Sequence, residues 1–288
     1  MMNTLWQDLR YGGRMLLKQP GFTLIAVLTL ALGIGANTAI FSVVKSILLA
    51  ALPYRDADRL VMLWENDTLE GNAHNSVAPG NFGDWRKQNE FCTELACYAQ
   101  PESVNVTGQG EPERLVGIGV SANLFALLGV QPVMGRGFLP IGKTNDGREL
   151  ILSHGLWQRR YGGDAGAIGK TLTFEGVPWT IVGVMPPQFQ LPEEAEMWWQ
   201  TLNGELTFRN RYFLRALGRL KPGVTIRQAQ AGFTTIAQRL ELQYPDTNKG
   251  RGIDVVSFRD QFAGDVRLAL LVLFGAVGFV SSRPATSA

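Results

Sequence analysis

The 288-residue chain holds only two cysteines and two histidines. Two cysteines make no disulfide framework, and two histidines leave little for a metal site. Three motifs are absent: His-Glu-x-x-His, paired Cys-x-x-Cys, and the Gly-x-Ser-x-Gly elbow that presents a nucleophilic serine. Excess charge of either sign is also lacking, with 27 Lys+Arg against 25 Asp+Glu and a formal net charge of +2. That balance argues against a nucleic-acid partner, which calls for a basic excess or patch. Hydrophobic residues make up 45% of the chain, which excludes global disorder. Glycine is plentiful, with 33 residues against a usual share of about 7%, and predicts many turns and short strands.

The residues that invite a chemical reading mostly fail it. Gly163-Asp164-Ala165-Gly166-Ala167-Ile168-Gly169-Lys170-Thr171 resembles a phosphate-binding loop, but Gly163 stands one residue too far from the Gly-Lys-Thr. The alternating Thr171-Leu172-Thr173-Phe174 follows, where such a loop needs a helix N-terminus. A turn before a hairpin is the better reading, and the chain carries no ATPase of its own. Ser153 and His154 are adjacent, so their side chains diverge, whereas a nucleophile needs its base within about 3 Å. His154 reads as a helix-start residue and His74 as solvated in a polar loop. Cys92 and Cys97 lie five apart, off the spacing of a helix face, and read as buried small hydrophobes. Asp84, Glu90 and Glu94 read as a solvated helix face, and Trp198-Trp199 as core packing. Asn105-Val106-Thr107 fits a glycosylation sequon only as a pattern. No constellation supports chemistry, so no catalytic, cofactor-binding or metal-binding residue is assigned and no enzyme is expected.

The apolar residues are unevenly spread. Gln19 to Val44 contains no charge, and Phe22 to Val44 would span about 34 Å as a helix, enough for a hydrocarbon core of about 30 Å. The apolar region of a signal peptide is shorter, about 7–15 residues. The tract therefore predicts a retained transmembrane helix. Ala31, Gly35 and Ala39 form a small-residue stripe, and Asn37 and Thr38 add polar groups that favour a protein neighbour over lipid. Before it, Leu5, Trp6, Leu9, Leu16 and Leu17 fall at helical spacing beside Arg10, Arg14 and Lys18, a segment suited to the cytoplasmic membrane surface. Leu268 to Val280 is a second uncharged run, about 20 Å long as a helix and short of a bilayer. It reads as the start of a membrane helix cut off by the polar Ser281–Ala288 tail.

Between the tracts a mixed α/β region is expected. Strands are predicted at Leu60–Trp64, Val104–Val106, Arg114–Val120, Glu149–Leu152, Arg211–Leu220 and Gly252–Phe258, with a hairpin across Glu175-Gly176-Val177. Helices are predicted over Asn81–Tyr98, from a Ser121 cap to Leu128, from a Ser153 cap to Tyr161, and over Thr225–Gln243. Two packed lobes follow, the second inserted into the first.

Ordered matches along the chain point to a family. Pro20-Gly21-Phe22-Thr23-Leu24 through Ala36-Asn37-Thr38-Ala39-Ile40-Phe41-Ser42-Val43-Val44 resembles the first membrane helix of MacB-like, or FtsX-like, ABC transporter permeases of the macrolide-export type. The pattern is that of the duplicated stand-alone permeases of acidobacterial type. Further matches are Leu52-Pro53-Tyr54, Asn81-Phe82-Gly83-Asp84-Trp85-Arg86, Val120-Ser121-Ala122-Asn123, Leu152-Ser153-His154-Gly155-Leu156-Trp157, Gly218-Arg219-Leu220-Lys221-Pro222-Gly223-Val224 and Tyr244-Pro245-Asp246-Thr247-Asn248. The resemblance implies an α+β chain: an N-terminal transmembrane helix, a two-lobed mixed α/β extracytoplasmic domain of the MacB periplasmic core type, and an incomplete second transmembrane helix. The expected boundaries are 1–21 for the cytoplasmic amphipathic segment, 22–52 for the first helix and its extension, 53–265 for the periplasmic core domain with its inserted lobe at about 131–207, and 266–288 for the truncated second helix. It further implies a bacterial inner membrane location with the N-terminus cytoplasmic. The implied partners are membrane lipid, a separate ABC ATPase subunit, and other permease helices or a second permease copy, with no nucleic acid and no cofactor. The implied function is that of a permease-subunit fragment of an export or efflux system, in which ATP hydrolysis elsewhere moves the outer domain. Trp6, Arg10 and Arg14 are the expected ATPase-facing surface. Two rivals stand beside it: a membrane-anchored binding or sensor module without transport, and an anchored hydrolase using Ser153 or His154.

Overall fold

The computed structural model describes residues 54–261 except 70, 108–110, 140–147, 190, 192–194 and 201–206, together with residues 20, 21, 23, 24 and 35. Trp6, Arg10, Arg14, the second apolar tract and all but those five residues of the first lie outside the described residues. Among the described residues no helix is long and apolar enough to cross a membrane. Residues 52–261 form one compact unit, and residues 1–51 with 262–288 another. All elements named here belong to the former.

In chain order the unit runs β1 (Leu60–Asp67), β2 (Asn72–Asn75), α1 (Pro79–Gln88), β3 (Cys92–Ala99), β4 (Glu102–Thr107), β5 (Glu113–Val120), α2 (Leu124–Leu128), β6 (Met134–Gly135), β7 (Glu149–Leu152) and α3 (His154–Tyr161). It continues with β8 (Thr171–Phe174), β9 (Val177–Val184), β10 (Met197–Gln200), β11 (Leu214–Leu220), α4 (Ile226–Gln243), α5 (Pro245–Asn248) and β12 (Arg251–Ser257). The strands join in the order β10-β7-β9-β8-β4-β5-β3-β11-β1-β12, with β2 on β1 and β6 on β9.

The layer β12-β1-β11-β3 is covered on both faces, which is why β1 is almost continuously apolar rather than alternating. Successive residues sort to opposite cores. Leu60, Met62 and Trp64 join Leu217, Ala96, Tyr98 and the α2 residues Leu124, Leu127 and Leu128. Val61 and Leu63 join Leu214, Ala216, Cys97, Phe82 and Trp85 of α1, and Phe233, Ile236 and Leu240 of α4. Helix α4 starts on a full capping box, with Thr225 Oγ1 accepting from the Gln228 amide and the Gln228 side chain accepting from the Thr225 amide.

At the other end of the order, β10 pairs with β5 as well as with β7. The six strands β5, β10, β7, β9, β8 and β4 thereby close on themselves. A separate core of Val104, Leu115, Leu150, Leu172, Ile181 and Met197 belongs to these strands. The inserted lobe expected at about 131–207 thus meets a ring that also takes β4 and β5. The β8–β9 hairpin turns through Glu175 and Gly176, both with positive φ (50° and 74°), the two-residue turn that matches strand twist.

Three local expectations are corrected. The helix expected over Asn81–Tyr98 stops at Gln88, and β3 follows. Asn89 makes the break: its Oδ1 accepts from the amides of Phe91 (3.2 Å) and Cys92 (2.8 Å), competing with helix continuation. Ser121 does not cap α2 through its side chain; its Oγ accepts from the Cys97 amide at 3.0 Å and so ties β3 to the α2 loop. His74 lies on strand β2, stacked on Trp64 at 5.7 Å, rather than in a loop. Strand β10 went unrecognised because Met197–Gln200 has no alternation, being gripped by a strand on either side.

Candidate functional site

The two residues weighed for hydrolysis, Ser153 and His154, are each engaged within or at the start of α3. Ser153 caps α3, its Oγ accepting from the Leu156 amide at 3.1 Å, and His154 packs edge-on against Trp157 at 5.3 Å. Among the described residues no group of three or more His, Cys, Asp or Glu stands close enough to hold a metal ion. Cys92 and Cys97 are free and buried. Burial pushes the Cys92 thiol up to about 12 and raises that of Cys97, so neither is a thiolate at neutral pH. The loop Gly163–Thr171 is a turn before β8: Asp164 Oδ1 accepts from the Gly166 amide at 2.8 Å, and a 3₁₀ turn spans Ala165–Ala167.

What the fold does assemble is a buried polar network at one end of the layer. Glu65 lies on β1 and is 1% exposed. Its Oε1 accepts from the Ala78 amide (2.8 Å), just before α1, and from Asn81 Nδ2 (2.9 Å); its Oε2 is buried with no hydrogen-bond partner among the described residues. Asn81 Oδ1 in turn accepts from Arg209 (2.6 Å) and from Asn248 Nδ2 (3.0 Å). Arg209 also pairs with Asp84 and lies 3.7 Å over the Tyr244 ring. Beside it Arg251 pairs with Asp67 at 3.0 Å. Burial, the largest influence, raises the Glu65 carboxyl to about 7 against the two amide donors and the Arg251 and Arg209 charges, which lower it. Asp84 is therefore an ion-pair partner inside this network rather than a solvated group, and Glu94 sits on β3 rather than on a helix face.

The opposite end of the layer carries the two chain ends of the unit. Tyr54 packs edge-on against Phe258 at 5.7 Å, Arg259 pairs with Asp58 at 3.2 Å, and Val61 is in register with Ser257. Arg219 of β11, only 4% exposed, reaches into the same corner.

A family model described as MacB-like periplasmic core domain matches residues 23–236, well over half of the chain. The chain belongs to that family. A domain of a proposed permease protein from Porphyromonas gingivalis has the same fold as this MacB-like chain, with a TM-score of 0.56 at 16% identity, covering 72% of this chain and 93% of that one. The periplasmic region of MacB from Actinobacillus actinomycetemcomitans gives a TM-score of 0.53 at 9% identity, covering 73% and 94%. No curated protein matches significantly. In the MacB-like fold the quoted motifs acquire physical roles. Asn81-Phe82-Gly83-Asp84-Trp85-Arg86 and Tyr244-Pro245-Asp246-Thr247-Asn248 meet in the Glu65 network, although they stand far apart in the chain. Sequence reading missed Glu65, Arg209 and Arg219 as members of these sites. For Arg219 the available signal was a charge between Gly218 and Leu220 in a largely apolar strand, and for Glu65 a carboxylate directly after the apolar run Leu60–Trp64.

Proposed function

We propose that this MacB-like chain serves as the permease subunit of an ABC-type export system in the bacterial inner membrane. A separate ATPase binds from the cytoplasm at Trp6, Arg10 and Arg14, and its cycle moves the extracytoplasmic domain, which does mechanical rather than chemical work. The observation that carries this reading is the pairing of the two ends of the 52–261 unit described above. A domain whose two ends leave side by side suits attachment to two helices in one membrane, and it suits passing their relative motion into the β1–β12 pair. The test is purification of the tagged full chain from its native membranes in mild detergent. An ABC ATPase is expected to co-elute, and Arg10→Ala with Arg14→Ala is expected to release it. Release of the chain by carbonate washing, or protection of residues 53–265 from external protease in spheroplasts, would overturn the reading.

One observation favours a second reading. A cavity of about 660 Å³, lined among others by Arg86, Thr93, Glu94, Asn123 and Phe138, is of ligand size and mixes apolar with polar walls. A membrane-anchored binding or sensor module would use it. Saturable binding of a small ligand, lost on Phe138→Ala in a chain that retains no ATPase, would favour that module.

A further inference from the structure

Arg219 occupies a position that packing alone does not explain. It lies near the end of β11, a strand between β1 and β3, on the face shared with α2. Its guanidinium donates to the carbonyls of Arg55 and Asp56 (3.1 Å to the latter) from one nitrogen, and to the carbonyl of Leu127 from the other. The first two acceptors belong to the segment that follows the first apolar tract; the third is in the last turn of α2, where helix carbonyls are left free. Among the described residues the nearest carboxylate oxygen, on the half-exposed Asp56, stands 3.8 Å away, and the like charges of Arg55 and Arg59 oppose those of Asp56 and Glu94. Burying a cation against carbonyls rather than a carboxylate is costly, and apolar replacement of buried ions is often neutral or stabilising. Stability therefore gives no reason for an arginine here, whereas tying two backbone segments together does.

The surrounding contacts converge on the same segment. The Arg55 amide donates to the Leu128 carbonyl at 3.1 Å, and Arg59 Nε donates to the Leu220 carbonyl at 2.9 Å. Gly129 ends α2 with φ +73°, and a Cβ built on it would stand 2.5 Å from Arg55 Cβ, so this residue has to be glycine for the segment to seat. We infer that Arg219 is a positioning residue that locks residues 54–59 to β11 and α2, so that displacement of the segment following the first apolar tract is passed into the layer rather than absorbed as local hinge motion. The inference rests on the mechanical reading above and deepens it. A lysine cannot replace the arginine: its single ammonium lacks the fork that reaches two segments at once.

Hydrogen exchange on the full chain in detergent tests the lock. Arg219→Met and Arg219→Lys are each expected to speed exchange of the Arg55 and Arg59 amides at least tenfold, while β8, β9 and the urea midpoint stay as in the parent. The failure of lysine to rescue separates the fork from the charge. Unchanged exchange at 54–59, rescue by lysine, or protection lost evenly across the unit overturns the lock. Transmission is then read with the co-purifying ATPase: ATP is expected to alter exchange in β11 and α2 of the parent but not of Arg219→Met. If the parent itself does not respond, the mechanical reading falls, and the transmission role with it. If parent and variant respond alike, only the inference about Arg219 falls.

Discussion

In the layer β12-β1-β11-β3, the buried Glu65 and Arg219 are held mainly by uncharged groups, with the Arg251–Asp67 pair as the exception; in the ring of β5, β10, β7, β9, β8 and β4, charges are held by one another. Glu65 meets an amide and an asparagine, and Arg219 meets three carbonyls. On the ring, Arg159 pairs with Glu113 and Glu196, both at 2.7 Å, and Arg136 pairs with Glu149 at 2.5 Å. Arg159 remains half-exposed and Arg136 nearly so. The difference follows from coverage. A layer with cores on both faces buries whatever side chain it carries, so a charge placed there must find the fixed polar groups of neighbouring segments. A closed ring keeps its apolar residues inside and leaves Arg159 and Arg136 toward solvent, although Glu149 and the Arg160 side chain are themselves largely buried. Glu65 and Arg219 therefore join segments, whereas Arg159 pairs at a surface.

Several measurements would break or sharpen this contrast. The largest effect is expected where the layer is thickest: Phe233→Ala, fully buried between α4 and the sheet, should cost about 3–5 kcal/mol in urea unfolding of the full chain. A loss under about 1 kcal/mol would show that α4 does not depend on that core. Next comes a pH effect set by Glu65, whose carboxyl is raised from 4.5 to about 7. The unfolded chain ionises first, so between those two values the folded state holds the extra proton. Stability should fall as pH rises through this window and level off above it, by on the order of 3 kcal/mol. Glu65→Gln should flatten that slope in thermal unfolding followed from pH 4.5 to pH 8; an unchanged slope would assign it elsewhere. A smaller loss, about 1 kcal/mol, is expected from Ser153→Ala, which removes the α3 cap beside the ring. Smallest is Arg159→Ala: its exposed pairs should contribute no more than about 1 kcal/mol, and less in high salt. If this rim substitution costs as much as Glu65→Gln changes the pH slope, the contrast between the two regions is lost.

Much of the strand order along the chain was legible, for local reasons. Ser153 and Thr225 announced helix starts, and Gly162 and Gly129 announced ends. Glu175-Gly176 announced a hairpin because few residues tolerate positive φ. Where reading failed, two signals competed. Phe82, Trp85, Phe91 and Leu95 keep helical spacing, yet the first two lie on α1 while Leu95 lies on β3. All four serve one core, which is reached from a helix and a strand alike. Spacing reports that residues face the same core, not which element presents them. The candidate sites were less legible still. Asn81 and Asn248 gave no chemical signal, because an asparagine acquires a role only from the donors and acceptors around it.

The sequence by itself determined the class of the chain: a charge-balanced, glycine-rich α/β region between two apolar tracts, with the ordered motifs of a MacB-like permease. Those properties are local, written in composition, period and turn chemistry. Only the tertiary structure decided that six strands close into a ring, that the two ends of the 52–261 unit lie side by side, that Glu65 loses its solvent and that Arg219 reaches two distant segments. Each of these depends on contacts between residues far apart in the chain, and no local pattern encodes which neighbour a buried charge will find.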